Sequence, residues 1–255
     1  NDSDFSSLTQ RYNLINVSGD VYRVDGVSFS DNDYFTIEYV DKIVLDGTQF
    51  YNGSGVSSAP NHLDSCYKLL IKNTATGFLT LTGDATVREL EIEASGKLVI
   101  ESGRKLEVIN GILLNGDLRL TGTSQLLQLH DGTTQVSGGG KLLVDQEGTT
   151  TNVYQSSYWT SPVSTNGSIF SIADVLKDGT ILTSASSVPQ DINFTDSQIL
   201  DGSKTTPITI SGRWLAKLIS TVDWTREIDP TEMIFKPGEG WNMKSTGSGI
   251  QNFTF

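Results

Sequence analysis

Leu79-Thr-Leu81-Thr-Gly83, Leu98-Val-Ile100-Glu-Ser-Gly103, Leu118-Arg-Leu120-Thr-Gly122 and Leu142-Leu-Val144, with Gly148 a little further on, are four versions of one phrase. Each sets two apolar residues around a variable one and then turns. The first leucines recur after 19, 20 and 24 residues, a period in the range of solenoids. A second series lies between them: Leu90-Glu-Ile92, Leu106-Glu-Val108 and Leu127-Gln-Leu129. Alternation along a strand puts these apolar pairs on one face and Thr80, Val99, Arg119, Glu91 and Glu107 on the other. Two short strands with glycine corners in each repeat, stacked coil on coil, predict a parallel β-helix with Leu/Ile/Val ladders inside. Leu98 is then expected to reject a charge and Val99 to tolerate one.

The rest of the chain divides around that stretch. Residues 1–68 show no repeat, only strand-like pieces such as Tyr34–Val40 and Lys42–Leu45, and are expected to form an irregular N-terminal cap or first coils. Residues 69–148 carry the β-helix. Gly138-Gly139-Gly140 permits a sharp redirection before the last coil, and Leu143, at an outward position, is expected to be covered by the C-terminal domain. From 149 to 255 the repeat stops and aromatic residues arrive in short strand-like pieces, which predicts a β-sandwich or jelly-roll-like domain. The fold class is all-β. The closing run Gln251–Phe255 alternates like an unfinished strand, so the expectation is a segment of a longer parent chain.

Composition narrows the partners. The 18 Lys+Arg against 30 Asp+Glu give a net charge of −12, and without a basic cluster the chain is not expected to bind nucleic acid or an anionic membrane surface. No apolar run of about 18 residues exists for membrane insertion. Cys66 is the single cysteine, so an intrachain disulfide and a cysteine-rich zinc site are excluded. It reads as a buried or idle thiol.

The second half also carries a resemblance. Tyr158-Trp159-Thr160-Ser161-Pro162-Val163 is succeeded in order by Val175-Leu-Lys-Asp-Gly179, Ile192-Asn-Phe-Thr195, Ser211-Gly-Arg-Trp-Leu215, Trp224 and Gly238-Glu-Gly-Trp-Asn-Met243. This series resembles a segment of large secreted cell-surface proteins of gliding and related Bacteroidota, in which a Tyr-Trp-Ser-Ser-Pro-Val motif comes after β-helix-like repeats. Here Thr160 stands for the first serine, and Ser124–Leu129 matches the polar stretch that often ends the repeats. The resemblance implies export by a type IX secretion system and an extracellular or surface location as an adhesin-like module. It implies as partners the downstream domains of the parent chain and the secretion machinery; surface glycans are a further candidate partner, from aromatic residues that can stack on sugar rings. It brings no catalytic residues.

Residues able to carry chemistry are few. β-Helix enzymes that degrade polysaccharides set acids on an outer face, and the outward acids here are Glu91, Glu93, Glu101, Glu107 and Asp145. In register, Glu91 would lie one coil from Glu107, with Arg88, Arg104 and Lys105 near enough to neutralise them. A recognisable acid/base pair is missing, and no catalytic residue or cofactor is assigned. Ser30-Asp31-Asn32-Asp33 and Asp46-Gly47 offer oxygens to calcium without the spacing of a calcium loop. His62 and His130 have no ligand partner at metal spacing. Lys236–Gly240 reads as a hairpin turn. Tyr158, Trp159, Trp224 and Trp241 are the candidate glycan contacts, against the alternative that they form the core of the second domain. The functional expectation is a non-enzymatic structural and adhesive module, with a polysaccharide-degrading β-helix enzyme or a glycan- or calcium-binding module as alternatives.

Overall fold

The computed structural model describes residues 13–18, 21–25, 42–74, 79–130, 136–165, 168–179, 188–198, 201–218, 224–225, 229–236 and 238–255. The chain divides into two compact units, Asn1–Tyr39 and Val40–Phe255. In the first, Asn13–Ser18 and Val21–Asp25 pair antiparallel, with Asn13 opposite Asp25. The expected strand at 34–40 and the acidic turn at 30–33 lie outside the described residues.

The second unit opens with a β-solenoid of about three turns. Leu79 pairs with Leu98, Leu98 with Leu118 and Leu118 with Leu142, each in a parallel ladder. The spacing seen in the sequence is therefore the length of a coil. Each coil has three walls where the sequence suggested two. One holds residues 85–88, 105–108 and 125–128, a second 68–71, 89–92 and 111–114, and the third carries the Leu79, Leu98, Leu118 and Leu142 ladder. Ala85–Ile92 and Lys105–Leu114 are long strands that each run round the corner between the first two walls. At that corner Ile109 and Asn110 stand opposite the single Arg88, a bulge that bends the strand.

This geometry corrects the second series. Leu90 pairs with Ile112 and Leu106 with Ala85, so Leu90-Glu-Ile92 and Leu106-Glu-Val108 lie on different walls. Glu91 is flanked by Leu70 and Leu113, and Glu107 by Thr86 and Leu127, so the two glutamates are not stacked neighbours. Leu126, rather than Leu127, continues the Leu106 ladder and packs on the core. The first coil also begins earlier than residue 69. Lys42–Asp46 pairs in parallel with Lys68–Ile71, and Ile43 and Leu45 join the same core. Residues 42–46 are thus a first coil strand. Leu69, Ile71, Leu81, Ile92, Leu98, Ile100, Leu106 and Val108 are fully buried, and each such side chain contributes about 1.5–3 kcal/mol relative to exposure.

In its two middle coils the third wall is buried on its outer side too, while Thr80 at its start is exposed. Val99 and Arg119, expected to meet solvent, are both 0% exposed. Arg119 Nε donates to both oxygens of Asp145, at 3.3 and 3.1 Å, and its Nη2 lies 3.0 Å from Asp145 Oδ2. The Thr254 hydroxyl donates to Asp145 Oδ1 at 2.7 Å. An outward position can therefore hold an arginine because the next strand supplies a carboxylate two residues beyond its register partner Leu143. Leu143 is half-buried and lines a cleft together with Val163, Val175 and Phe255.

Lys141–Thr150 carries the chain across the expected boundary at 148. Its first residues complete the third wall in parallel, and Asp145–Thr150 pairs antiparallel with Gly249–Thr254. Gly249–Thr254, which holds most of the closing run 251–255, is paired on its other side by Lys177–Asp178. Beyond it, Ser156–Thr160, Gly240–Lys244, Leu215–Leu218 and Trp224–Thr225 form a four-stranded antiparallel sheet. The inner side of that sheet meets Phe170, Phe235, Phe253 and Phe255 in an aromatic core.

The triple glycine is needed at two of its three positions. A Cβ on Gly140 would lie 1.9 Å from the Gly116 carbonyl oxygen, and one on Gly138, at φ +109°, 2.1 Å from that of Leu114; Gly139 has nothing within 4 Å. Gly140→Ala should therefore lower the unfolding free energy by about 1–3 kcal/mol, as overpacking against backbone does. Gly139→Ala should leave it almost unchanged. Equal denaturation midpoints for the two variants would contradict this account of the turn.

Candidate functional site

The outer acids of the solenoid named above are dispersed, and each has its own polar contact. Lys68 Nζ lies 2.5 Å from Glu91, Lys105 Nζ 2.7 Å from Glu107, and Arg104 3.8 Å from Glu101. Glu93 accepts the backbone N–H of Asn73, and Asp145 is held by Arg119. The Lys105 ammonium, and after it the Thr86 hydroxyl, hold the Glu107 carboxyl below its ordinary pKa. Asp46 is lowered by the Thr74 hydroxyl first and Lys72 second. A general acid for glycoside cleavage requires the opposite shift.

The sign of the Glu107 shift makes a pH test. A carboxylate with a folded pKa below its unfolded value near ~4.3 stabilises the fold above that value and loses the contribution as pH falls through the folded pKa. Glu107→Gln should melt slightly lower than the parent at neutral pH and show a smaller further drop in Tm on acidification to about pH 3. Parallel Tm curves for the two proteins would refute the assignment.

Asp46-Gly47 is a turn whose oxygens are already engaged: the carboxylate takes Lys72 and Thr74, and the Gly47 N–H donates to the Thr74 hydroxyl. His130 Nε2 lies 3.2 Å from the Gln128 side-chain oxygen, and His62 is exposed. Cys66 is exposed, so burial does not account for it. Among the described residues no group of three or more His, Cys, Asp or Glu side chains is placed to hold a metal ion, and no helix is long and apolar enough to cross a membrane. Within the expected turn at 236–240 the Glu239 N–H donates to the Lys236 carbonyl, and Gly240 already opens the strand Gly240–Lys244.

The four aromatic candidates separate by strand parity. Trp159 and Trp241 are directly paired on the inner face. Trp241 is 1% exposed, 5.4 Å from the Phe235 ring and 6.1 Å from that of Phe255. Trp159 packs edge-to-face on Phe253 at 5.1 Å. These two are core residues, and a sugar cannot reach Trp241. Tyr158 and Trp224 face outward, 76% and 41% exposed, with ring centroids 5.7 Å apart. They sit on the two edge strands, with Leu218 directly opposite Trp224, and across the sheet from Tyr158 lie Asn242 and then Ala216. These short side chains let the rings close over the sheet.

No protein-family model matches the chain, and no curated protein or solved structure matches it. The site therefore rests on its own geometry.

Two concavities lie on the surface of the second unit. One, of about 240 Å³, continues the outer face of the four-stranded sheet and is lined by Tyr154, Ser156, Arg213, Trp214, Asn242 and Lys244, among others. Lys244 is 7% exposed, with its ammonium 5.8 Å from the Tyr154 ring and 5.1 Å from that of Trp214. Burial pulls its pKa down, while Asp201 pushes it back up. Nothing in the sequence groups these residues, because antiparallel pairing brings them together from 154–156, 213–216 and 242–244. The other concavity is a cleft of about 710 Å³ along the outer side of the third wall, with Lys97, Asp117 and Lys141 in one row. Its remaining acids have partners: Asp174 accepts the Ser171 N–H in a helix cap, and Asp191 lies 2.8 Å from Lys177, the main cause of its lowered pKa.

Proposed function

We propose that this chain is a non-enzymatic structural and adhesive module of a large secreted cell-surface protein, exported by a type IX secretion system. The observation that carries the non-enzymatic reading is the dispersal of the acids. Glu91, Glu107, Glu101 and Asp145 each face a basic side chain, and Glu107 is held more acidic than usual by Lys105. Glycoside hydrolysis canonically uses two cooperating carboxyls, one of them with a raised pKa. The apolar ladders have a sufficient reason in stacking alone. The surface location rests on the resemblance of the ordered motifs from Tyr158 to Met243.

Antibodies raised against the purified chain are expected to label intact cells of the organism that makes it. Labelling only after lysis would overturn the surface reading. Incubation with a panel of acidic and neutral polysaccharides is expected to release no new chain ends, and turnover of any of them would restore the β-helix enzyme.

A further inference from the structure

We propose that the outer face of the four-stranded sheet binds an acidic oligosaccharide, stacked on the aromatic rings and held by its anionic group at Lys244 and Arg213. This deepens the adhesive reading, and it is tested on purified protein independently of export.

The argument begins with parity. Ser156, Tyr158 and Thr160 point to one side of their strand, and their partners on the next strand are Lys244, Asn242 and Gly240. Asn242 in turn stands opposite Ala216, and Leu218 opposite Trp224. The 240 Å³ hollow and the Tyr158–Trp224 pair therefore share one surface, joined through Asn242 and Ala216. Tyr154, at 72% exposure, stands at one end and Trp224 at the other. The exposed C–H faces of a pyranose ring match flat aromatic surfaces, while its hydroxyls need donors and acceptors beside them. Asn242 and Ser156 supply these from the floor. The hollow is smaller than a drug-sized pocket of roughly 300–1,000 Å³ and fits one sugar unit, leaving the next to lie across Tyr158 and Trp224.

Charge selects the kind of sugar. The chain carries −12 overall, yet the lining of this hollow includes Arg213 and Lys244 and neither Asp nor Glu; Asp201, which acts on Lys244 from beyond the lining, is itself paired with Lys204 at 3.2 Å. A local positive site on an acidic protein favours a carboxylate or sulfate on the ligand and disfavours binding of a cation. The Lys244 ammonium lies near two aromatic rings in a mostly buried position, where a ligand anion is less screened than at an open surface.

The experiment is calorimetric titration of the whole chain with a short oligogalacturonate, a heparin-derived oligosaccharide and a neutral cello-oligosaccharide. Binding of at least one anionic probe is expected, weakening with added salt and exceeding cello-oligosaccharide affinity by at least tenfold. Tyr154→Ala and Tyr158→Ala, at exposed positions, should keep the parental Tm and weaken that binding about tenfold each. Absence of binding by both anionic probes would overturn the proposal. So would equal affinity for the neutral probe, or anionic binding that both aromatic variants leave intact. Binding in this assay without surface labelling of cells would sink the export reading and leave the glycan site standing.

Discussion

Leu98→Asp is expected to cost about 4 kcal/mol of stability, and Val99→Lys about as much, because each places an unpaired charge where solvent does not reach. Leu98 lies in the ladder inside the coil, and Val99 faces the opposite way, yet both are 0% exposed. Lysine is the informative choice at 99. Its register neighbour one coil on is Arg119, so a second cation there meets like charge, whereas an aspartate would meet a partner. Chemical denaturation of the two variants measures both costs. A Val99→Lys protein with the parental midpoint would show that the outer side of the third wall is open to solvent.

Asp145→Ala should destabilise the protein by about 3–5 kcal/mol, the usual cost of leaving a buried charge uncompensated. Arg119 is 0% exposed and its guanidinium is bonded to Asp145, which also accepts the Thr254 hydroxyl. One substitution would therefore remove a carboxylate that holds Arg119 and loosen the contact between Lys141–Thr150 and Gly249–Thr254. The double variant Asp145→Ala with Arg119→Met should recover much of the loss, since an apolar side chain of similar length needs no carboxylate. Additive losses in the double-mutant cycle would show that the pair is not coupled.

The coil length was legible in the sequence because stacking forces a leucine to return to the same wall after each turn. The distances from Leu79 to Leu98, Leu118 and Leu142 are the observed pairings. The number of walls was hidden. Leu90-Glu-Ile92 and Leu106-Glu-Val108 look alike, and only the register, with Leu106 opposite Ala85 and Leu90 opposite Ile112, shows that they lie on different sides. Burial of Val99 and Arg119 was equally hidden, since a strand covered on both faces loses the alternation that marks its outer side. In the second half, parity separated Tyr158 from Trp159 in principle. Which of the two faced the core depended on Phe253 and Phe255, almost a hundred residues away. Tyr154, Trp214 and Lys244 were out of reach for the same reason, because antiparallel neighbours are chosen by folding and leave no period behind.

The reversed strand Gly249–Thr254 has a consequence for how such a chain can change over generations. A parallel wall propagates only while its edge strand offers the same direction to the next, and this edge runs the other way. Duplication at that end would have to displace Thr254 from Asp145 and Phe253 from Trp159. Duplication of a segment such as 101–120, inside the stack, would repeat one coil and leave every contact of the aromatic half as it is. Reach and recognition can thus vary independently, the first by coil number and the second by the side chains on one sheet.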